Sequence, residues 1–454
     1  MSNPLSREIA LDENTFVIKY QHDVVSYLVR AYPFAVYEIE DQLADELCSG
    51  TCTVESILPQ QSEKRNTFTT PGIFYQPIMI MTNRCNLQCR YCYADSGSYG
   101  FSGYTDMEFP TIERTVRYVQ DNILKHGEAL QGQDIELAYV AFGGESLMNL
   151  PGVMHLLACA KESCAEMCLR TRANIHPLVI INTNGLLITE QLLEELEPDK
   201  EYIEFVVSLD GIYHDENRID RGGNGSLERT IRGIQLLKDR QFDFYVTCCL
   251  IPEYLDRTAE NIRFIRSIIG PGKQINLSFI RGAIENVKDC VSYPGIVRQN
   301  YTAENVQKYV DDIVQLIEDD ENIYCNKFLR RAQAGGFRNK CAACLFEFCV
   351  IPDGTVYPCH NFVQAGYELG SIKEDGLDIP GTELYQKFLS RDMDTLSPCQ
   401  DCCLKSVCIS SFDCPAHSEH DLQEFTQVDP LICTAGKQIQ LALLRKLLKN
   451  GGTL

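Results

Sequence analysis

The sequence predicts an α/β protein built around a partial, TIM-like (β/α)6 barrel, with a small N-terminal α+β domain and a cysteine-rich C-terminal domain. Three observations support this prediction. Six apolar runs of strand length alternate with amphipathic helical patterns between residues 76 and 281, as in a parallel sheet covered by helices. Polar or cysteine-containing motifs directly follow several of these runs. From Cys341 onward the chain is dense in cysteine and turn residues, which is typical of a domain organised around metal.

Four segments follow one another along the chain. Residues 1–70 form the small domain, in which TFVIKY and VVSYLVRAY predict strands and VYEIEDQLADELCSG predicts a helix ending at Gly50. Residues 71–285 form the barrel, 286–340 a charged and largely helical bridge, and 341–454 the cysteine-rich domain. The predicted barrel strands are QPIMIMT, IELAYVAF, HPLVIINT, EYIEFVVSL, FDFYVTCCL and QINLSFI. The helical patterns between them include TIERTVRYVQDNIL, residues 151–169, TEQLLEELE, SLERTIRGIQLLKD and TAENIRFIRSII.

Composition excludes several functional classes. The formal net charge of −22 argues against nucleic acid as a partner, because few phosphates could be neutralised. No apolar run is long enough to span a bilayer, and the N-terminus lacks the layout of a secretory signal, so we expect a cytoplasmic protein without a membrane partner. Disulfides do not explain 22 cysteines in a reducing compartment, and their clustering near residue 90 and between residues 341 and 433 favours metal sites.

The first cysteine cluster, MTNRCNLQCRYCYADSG, follows the first barrel strand. Cys85, Cys89 and Cys92 have C-x3-C-x2-C spacing. Three thiolates on one loop can hold three irons of a cubane cluster and leave the fourth iron open to chelate a cofactor. A zinc site more usually recruits a fourth protein ligand.

This cluster, with Tyr91 before its third cysteine, resembles the radical S-adenosylmethionine (radical SAM) superfamily. The further motifs at family-like positions contain Gly143, Gly144 and Glu145, then Asn182 and Asn184, then Ser208 and Asp210, and finally Arg218. The resemblance implies that Gly-Gly-Glu binds the methionine amino group, that Ser208 and Asp210 lie near the ribose, and that Arg218 lies near the cofactor carboxylate. Ser146 departs from the family, which commonly has proline there. Gly-Gly and Asn-Gly are also ordinary turn residues, and each alone is a weak signal.

The resemblance also implies a reaction. A [4Fe–4S] cluster on Cys85, Cys89 and Cys92, the catalytic cysteines, would cleave S-adenosylmethionine to a 5′-deoxyadenosyl radical that removes hydrogen from carbon. The electron would come from a donor such as flavodoxin or ferredoxin.

The C-terminal cysteines resemble the SPASM extension of radical enzymes that modify peptides. By this resemblance, Cys399, Cys402, Cys408 and Cys433 bind one auxiliary [4Fe–4S] cluster, and Cys341, Cys359 and Cys414 bind a second. Either Cys344 or Cys349 is the fourth ligand of that second cluster, or the cluster has an open iron. The chain would thus hold three [4Fe–4S] clusters. The five residues between Cys408 and Cys414 exceed the usual three. Paired C-x2-C spacing is also a zinc signature, so two zinc-ribbon sites are the alternative.

His360 directly follows Cys359, where related sulfatase-maturing enzymes carry an acidic residue proposed as a base. Histidine can take a proton near neutrality. The alternative is that His360 hydrogen-bonds a cluster sulfur or stabilises the turn.

The layout resembles maturases of ribosomally made peptides (RiPPs), in particular the sactipeptide and ranthipeptide enzymes that form thioether links from cysteine sulfur to carbon. This implies a cysteine-rich precursor peptide as the substrate. Residues 1–70 would be a short winged-helix module that recognises a leader peptide by strand addition, or simply a cap on the barrel. The alternatives are a formylglycine-generating sulfatase maturase, a maturase making carbon–carbon links, and a non-catalytic zinc-binding scaffold.

Overall fold

The computed structural model describes residues 6–20, 23, 25–57, 71–101, 103, 105–280, 301–319, 321–339, 341–409 and 414–449. These residues divide into two compact units. The first unit takes its residues from 1–70, 301–341 and 390–454, and the second from 71–300 and 342–389. Residues 58–70 of the predicted N-terminal domain and 286–300 of the predicted bridge lie outside the described residues. No helix in the described part of the chain is long and apolar enough to cross a membrane.

Strands and helices are numbered in chain order. The strands are β1 Ser6–Ala10, β2 Thr15–Tyr20, β3 Val25–Ala31, β4 Phe34–Glu40, β5 Ile78–Thr82, β6 Asp134–Gly143, β7 Asn174–Thr183, β8 Ile203–Ser208, β9 Asp243–Leu250, β10 Ile275–Phe279, β11 Cys349–Val350, β12 Thr355–Tyr357 and β13 Gly370–Ser371. The helices are α1 Asp41–Ser49, α2 Phe109–Lys125, α3 Gly127–Leu130, α4 Leu150–Thr171, α5 Glu190–Leu196, α6 His214–Asn217, α7 Leu227–Asp239, α8 Thr258–Ile269, α9 Ala303–Glu318, α10 Cys325–Gln333, α11 Glu383–Leu389, α12 Ser397–Gln400, α13 Pro415–Asp421 and α14 Pro430–Lys449.

The second unit contains a nine-stranded sheet in the order β10-β9-β8-β7-β6-β5-β11-β12-β13. From β5 to β10 each strand is parallel to the strand before it, and helices lie in every connection. This confirms the predicted α/β fold with a parallel barrel-like sheet, and all six predicted strands are present. Because the strands are parallel, their carboxyl ends meet at one edge of the sheet.

Burial explains why these segments form strands and helices. All five residues of β5 are buried, as expected for a parallel strand covered on both faces. Helix α2 buries Ile112, Val116, Val119 and Ile123, a stripe with helical spacing, and packs against α4. Pro at the start and Lys125 at the end of α2 suit the two helix termini.

The first cysteines of the C-terminal region extend the barrel sheet. Cys349 of β11 pairs with Ile78 of β5 in parallel register, and β12 and β13 continue the sheet in antiparallel register. Residues 342–389 therefore share a compact unit with the barrel, whereas the sequence alone suggested a new domain from residue 341.

In the first unit, β1 to β4 form an antiparallel meander, followed by α1. The prediction of a helix from Val36 was wrong in its first five residues, because β4 pairs with β3 along its whole length and the helix begins only at Asp41. Tertiary strand pairing overrides local propensity here. The helix does end at Gly50, which has a φ of 74°, as predicted. The described residues between 6 and 57 contain one α-helix, α1, and the predicted winged-helix module for peptide recognition stays a prediction.

Candidate active site

Cys85, Cys89 and Cys92 lie on the loop that follows β5. The backbone N–H of Leu87 donates to Cys85 Sγ at 3.4 Å, and the backbone N–H of Ser96 donates to Cys92 Sγ at 3.2 Å. The N–H of Cys92 donates to the carbonyl oxygen of Cys89 at 3.1 Å, which closes a tight turn. A loop whose N–H groups point at sulfur atoms is suited to holding thiolates.

Gly143 and Gly144 pack directly against this loop. A Cβ added to Gly144 would lie 2.2 Å from the carbonyl oxygen of Arg84 and 3.1 Å from Cys85 Cβ, and a Cβ on Gly143 would lie 2.5 Å from the carbonyl oxygen of Thr82. The N–H of Gly144 donates to the same Thr82 oxygen at 3.0 Å. The two glycines are therefore required by the close approach of two backbones, in addition to any contact with a cofactor.

The pKa values of all three thiols are raised, so the thiolate forms need a nearby positive charge. Burial raises the pKa of Cys85 to about 12, and the nearby carboxylate of Glu145 raises it further. Burial also raises the pKa of Cys89 and of Cys92, so deprotonation needs a compensating cation such as iron. No three Cys, His, Asp or Glu side chains in the described parts converge closely enough to chelate a single ion. A cubane does not require this, because each of its irons takes one thiolate. The residues therefore fit a cluster.

Glu145 and Asn184 join the ends of β6 and β7 beside the cysteine loop. Glu145 Oε2 accepts the backbone N–H of Asn184 at 2.7 Å, and Oε1 accepts the N–H of Leu147 at 3.2 Å. Asn184 Nδ2 donates to Asn86 Oδ1 at 2.6 Å. Burial raises the pKa of Glu145 to about 7, although the hydrogen bonds that its carboxylate accepts act to lower it. The Glu145 carboxylate thus links the ends of β6 and β7 by hydrogen bonds. Its binding of the cofactor's methionine amino group stays a prediction.

Asp210, Arg218 and Tyr91 form a buried network. Arg218 Nε donates to Asp210 Oδ2 at 2.8 Å, the Tyr91 hydroxyl donates to the same oxygen, and the backbone N–H of Cys249 donates to Oδ1 at 3.0 Å. Burial acts to raise the pKa of Asp210, but Arg218 and the other partners outweigh it and the net shift is downward. The resemblance assigned Asp210 and Arg218 to separate parts of a cofactor. The structure makes them partners of each other, and their contacts with a cofactor stay a prediction.

The remaining predicted cofactor contacts lie at the same sheet edge. Asn182 is near the end of β7, and its carbonyl oxygen accepts the Ser146 hydroxyl at 2.7 Å. Ser208 is the last residue of β8 and is half-buried. Ser146, the departure from the family pattern, is fully buried and uses its hydroxyl to tie the β6 loop to β7. Cofactor contact by these residues stays a prediction.

His360 lies beside the carboxyl end of β6. Its ring is 4.6 Å from the ring of Phe142, which precedes Gly143, and 6.2 Å from the ring of Tyr93, which follows Cys92. The structure therefore places His360 next to both the glycine motif and the cysteine loop.

Four of the C-terminal cysteines gather around α14 in the first unit. Cys433 on α14 and Cys399 share one apolar cluster. Gln440 Nε2, two turns after Cys433, lies 3.7 Å from Cys408 Sγ. Burial acts to lower the pKa of Lys437, one turn after Cys433, but the neighbouring Cys402 thiol and the Glu8 carboxylate raise it. Contacts of the four predicted ligands Cys399, Cys402, Cys408 and Cys433 thus fall along one face of α14, and their binding of an auxiliary cluster stays a prediction.

The other predicted ligands divide between the units. Cys344, Cys349 and Cys359 are all buried in the second unit. The N–H of Cys344 donates to the carbonyl oxygen of Pro358 at 3.0 Å. Cys344 has a φ of 65°. Cys341 and Cys414 belong to the first unit. The second auxiliary site therefore stays a prediction.

Sequence reasoning missed several residues that position the site. Asn86 joins the cysteine loop to Asn184, and Cys249 packs with Cys89 and Tyr91. Gln440 and Lys437 flank the α14 cysteines. Lys437 and Gln440 follow Cys433 by four and seven residues. This helical spacing was the one sequence signal that could have indicated them.

Two family models match the chain. Residues 79–265 match the radical SAM superfamily, and residues 341–403 match SPASM, an iron–sulfur cluster-binding domain. These ranges contain the cysteine loop and most of the C-terminal cysteines.

Relatives and solved structures agree with these matches. A serine-type anaerobic sulfatase-maturating enzyme of Klebsiella aerogenes is 23% identical over 73% of this chain and 77% of its own length. The subtilosin biosynthesis protein AlbA of Bacillus subtilis is 23% identical over 77% of this chain and 69% of its own. The structure of anSMEcpe with bound AdoMet is similar with a TM-score of 0.64 at 18% identity, over 84% of this chain and 100% of that one. Streptococcus suis SuiB bound to S-adenosylmethionine has a TM-score of 0.52 at 13% identity, over 95% of this chain and 99% of that one. This chain is therefore a radical SAM protein that carries a SPASM domain.

Proposed function

We propose that this chain is a maturase that uses S-adenosylmethionine to install thioether crosslinks in a cysteine-rich precursor peptide. The observation that carries the proposal is the loop of Cys85, Cys89 and Cys92, held against Gly143 and Gly144 at the carboxyl edge of a parallel sheet. Cys85, Cys89 and Cys92 would hold the cluster. When bound, cluster and cofactor supply a 5′-deoxyadenosyl radical that can abstract hydrogen from carbon.

The protein's own residues would bind the cluster and cofactor, orient the substrate and shield the radical from water. The buried network of Asp210, Arg218 and Tyr91 holds the part of the cysteine loop next to Cys89 in place. Auxiliary clusters, one of them at the α14 cysteines, suit an oxidation, because closing a bond after hydrogen abstraction leaves one surplus electron that a cluster can accept. We propose His360 as the base that takes the proton released when the crosslink closes.

A peptide substrate has support beyond the resemblance. AlbA takes part in the biosynthesis of a bacteriocin, subtilosin, and a SuiB structure that covers 95% of this chain holds the precursor peptide SuiA. The anSMEcpe structure covers less of this chain, 84%. The antiparallel sheet of β1 to β4 has two edge strands, β1 and β4, to which an extended peptide could add.

The second candidate is a sulfatase maturase that generates formylglycine. It is supported by sulfatase-maturating relatives of similar identity and by the higher TM-score of anSMEcpe. The two reactions differ in their products: a thioether consumes a cysteine thiol, whereas formylglycine is an aldehyde.

The test is product analysis with anaerobically reconstituted enzyme, S-adenosylmethionine and a strong reductant. The substrates are a short cysteine-rich peptide encoded beside this protein and a sulfatase-motif peptide. We expect the first to lose two hydrogens per link and one alkylatable thiol per link, while a hydrazide probe detects no aldehyde. Aldehyde formation in the motif peptide with an unchanged cysteine-rich peptide would overturn thioether formation and support the second candidate.

A further inference from the structure

A solvent-accessible cleft in the second unit opens onto the cysteine loop. It is lined by Arg84, Cys85, Asn86, Met148, Asp220, Arg221, Gly222 and Arg229. Cys85 itself is part of the lining and is half-buried. An object seated in this cleft would therefore approach one of the three proposed cluster ligands directly.

The two walls of the cleft are joined through the backbone. The N–H of Gln88 donates to the carbonyl oxygen of Ile219 at 2.8 Å, and the N–H of Arg90 donates to that of Asn217 at 2.9 Å. Leu87 and Asp220 form an isolated antiparallel bridge. The wall that carries Arg221 is thus fastened to the cysteine loop itself, and the position of the cleft relative to Cys85 is set by backbone hydrogen bonds.

The cleft is basic on an acidic protein. Three arginines and one aspartate line it, whereas the whole chain has a formal charge of −22. Arg84 is paired with Asp106 and Arg229 with Asp220 at 3.1 Å. Arg221 is exposed, and 47% of the Arg229 side chain is exposed. A local positive patch on an otherwise negative surface favours a partner of negative charge and orients its approach.

We propose that this cleft is the docking surface for an acidic, low-potential electron-transfer protein of the flavodoxin or ferredoxin type. The proposal rests on the proposed radical chemistry, which needs one electron for each S-adenosylmethionine cleaved. That electron leaves the reduced donor, which for a flavodoxin passes from hydroquinone to semiquinone, and ends on the sulfonium as its bond to the adenosyl carbon breaks. Cys85, one of the three proposed cluster ligands, lies in the lining of the cleft.

The test compares two reductants on the same anaerobic holoenzyme. Reduced flavodoxin must dock, whereas dithionite is a small molecule that does not need the patch. For the double variant Arg221→Glu, Arg229→Glu we expect the rate of 5′-deoxyadenosine formation with flavodoxin to fall about tenfold or more at low salt, while the rate with dithionite stays that of the parent. The parent rate with flavodoxin should fall as salt rises, and the variant rate should depend less on salt.

The matched control is the double variant Arg170→Glu, Lys308→Glu, which reverses two exposed charges that pair with acidic residues one helical turn away. It should behave as the parent with both reductants. If charge reversal at the cleft also lowers the dithionite rate, the single variant Arg221→Gln repeats the comparison with a smaller perturbation. Equal flavodoxin rates for the cleft variants and the parent would overturn the proposal. Absence of 5′-deoxyadenosine from the parent with dithionite would instead refute the proposed function.

Discussion

Gly144 lies so close to Arg84 that a Cβ on the glycine would be 2.2 Å from the arginine's carbonyl oxygen. This approach sets the distance between the glycine motif and the cysteine loop. The conformation of the loop therefore depends on a residue 59 positions after Cys85 in the chain, as well as on its own sequence.

Gly144→Ala should displace the cysteine loop, because the new Cβ would clash with the backbone carbonyl oxygen of Arg84. A backbone atom cannot move aside as the end of a flexible side chain can. We expect the rate of 5′-deoxyadenosine formation to fall about 10²-fold, the usual cost of misplacing reacting groups by roughly 1 Å. Gly127→Ala is the control, since the nearest neighbour of its Cβ would be a Thr171 methyl group at 3.2 Å and no backbone atom would lie closer than 3.9 Å. A Gly144→Ala enzyme with parental activity would contradict this account of the motif.

Cys89→Ala should abolish cleavage of S-adenosylmethionine, because one of three thiolates is lost. The reconstituted variant should contain roughly four irons fewer than the parent, the content of one cubane, as measured by iron and sulfide analysis. Cys159→Ala, on helix α4 beside His155, should change neither quantity. Retained cleavage in Cys89→Ala would show that the loop does not hold the cluster.

His360→Gln should separate cofactor cleavage from product formation if His360 is the base. We expect 5′-deoxyadenosine to form at nearly the parental rate, while crosslinked peptide falls about 10²- to 10⁴-fold. His360→Asp, which restores a carboxylate, should recover part of the product. Parallel loss of both products in His360→Gln would instead indicate a structural role for the ring beside Phe142.

Gln440→Glu should make the α14 cluster harder to reduce. The substitution replaces an N–H group near Cys408 Sγ by a negative oxygen, and both changes disfavour the added electron. The midpoint potential of one auxiliary cluster, followed by EPR in a redox titration, should shift to more negative values. Gln427→Glu, at an exposed position of the same unit, should leave it unchanged, and an unshifted potential in Gln440→Glu would exclude contact with the cluster.

His214 should make the fold sensitive to acid. Its ring is fully buried, accepting the N–H of Asp210 at 3.2 Å and contacting the Ser226 hydroxyl at 3.0 Å, and burial lowers its pKa to about 4. Because the unfolded state binds the proton first, the free energy of unfolding should fall as pH drops from about 6.5 to 4, by up to about 3 kcal/mol.

Urea unfolding at pH 7 and pH 4.5 checks this expectation. The loss of stability between the two pH values should be smaller in His214→Gln than in the parent. His176→Gln, at an exposed position, should show the parental loss. An equal loss in His214→Gln would assign the acid sensitivity to other groups.

Much of the fold and the cysteine loop could be predicted from sequence because their signals are local. The six barrel strands are continuous apolar runs, and Cys85, Cys89 and Cys92 are close in space because they are close in the chain. Residues 36–40 were misassigned because their strand conformation depends on pairing with β3, and β1 was missed because it is short and only partly buried.

The sequence by itself determined which residue types are available at the sheet edge and in which order they follow the strands. The tertiary structure alone decided their partners: Asp210 with Arg218, Asn86 with Asn184, Gln440 with Cys408, and three arginines around Cys85. These residues are up to 144 positions apart in the chain, as Cys85 and Arg229 are. Hydrophobic periodicity specifies which face of a strand or helix is buried, but a hydrogen bond or ion pair depends on distances and directions that exist only after the chain has packed.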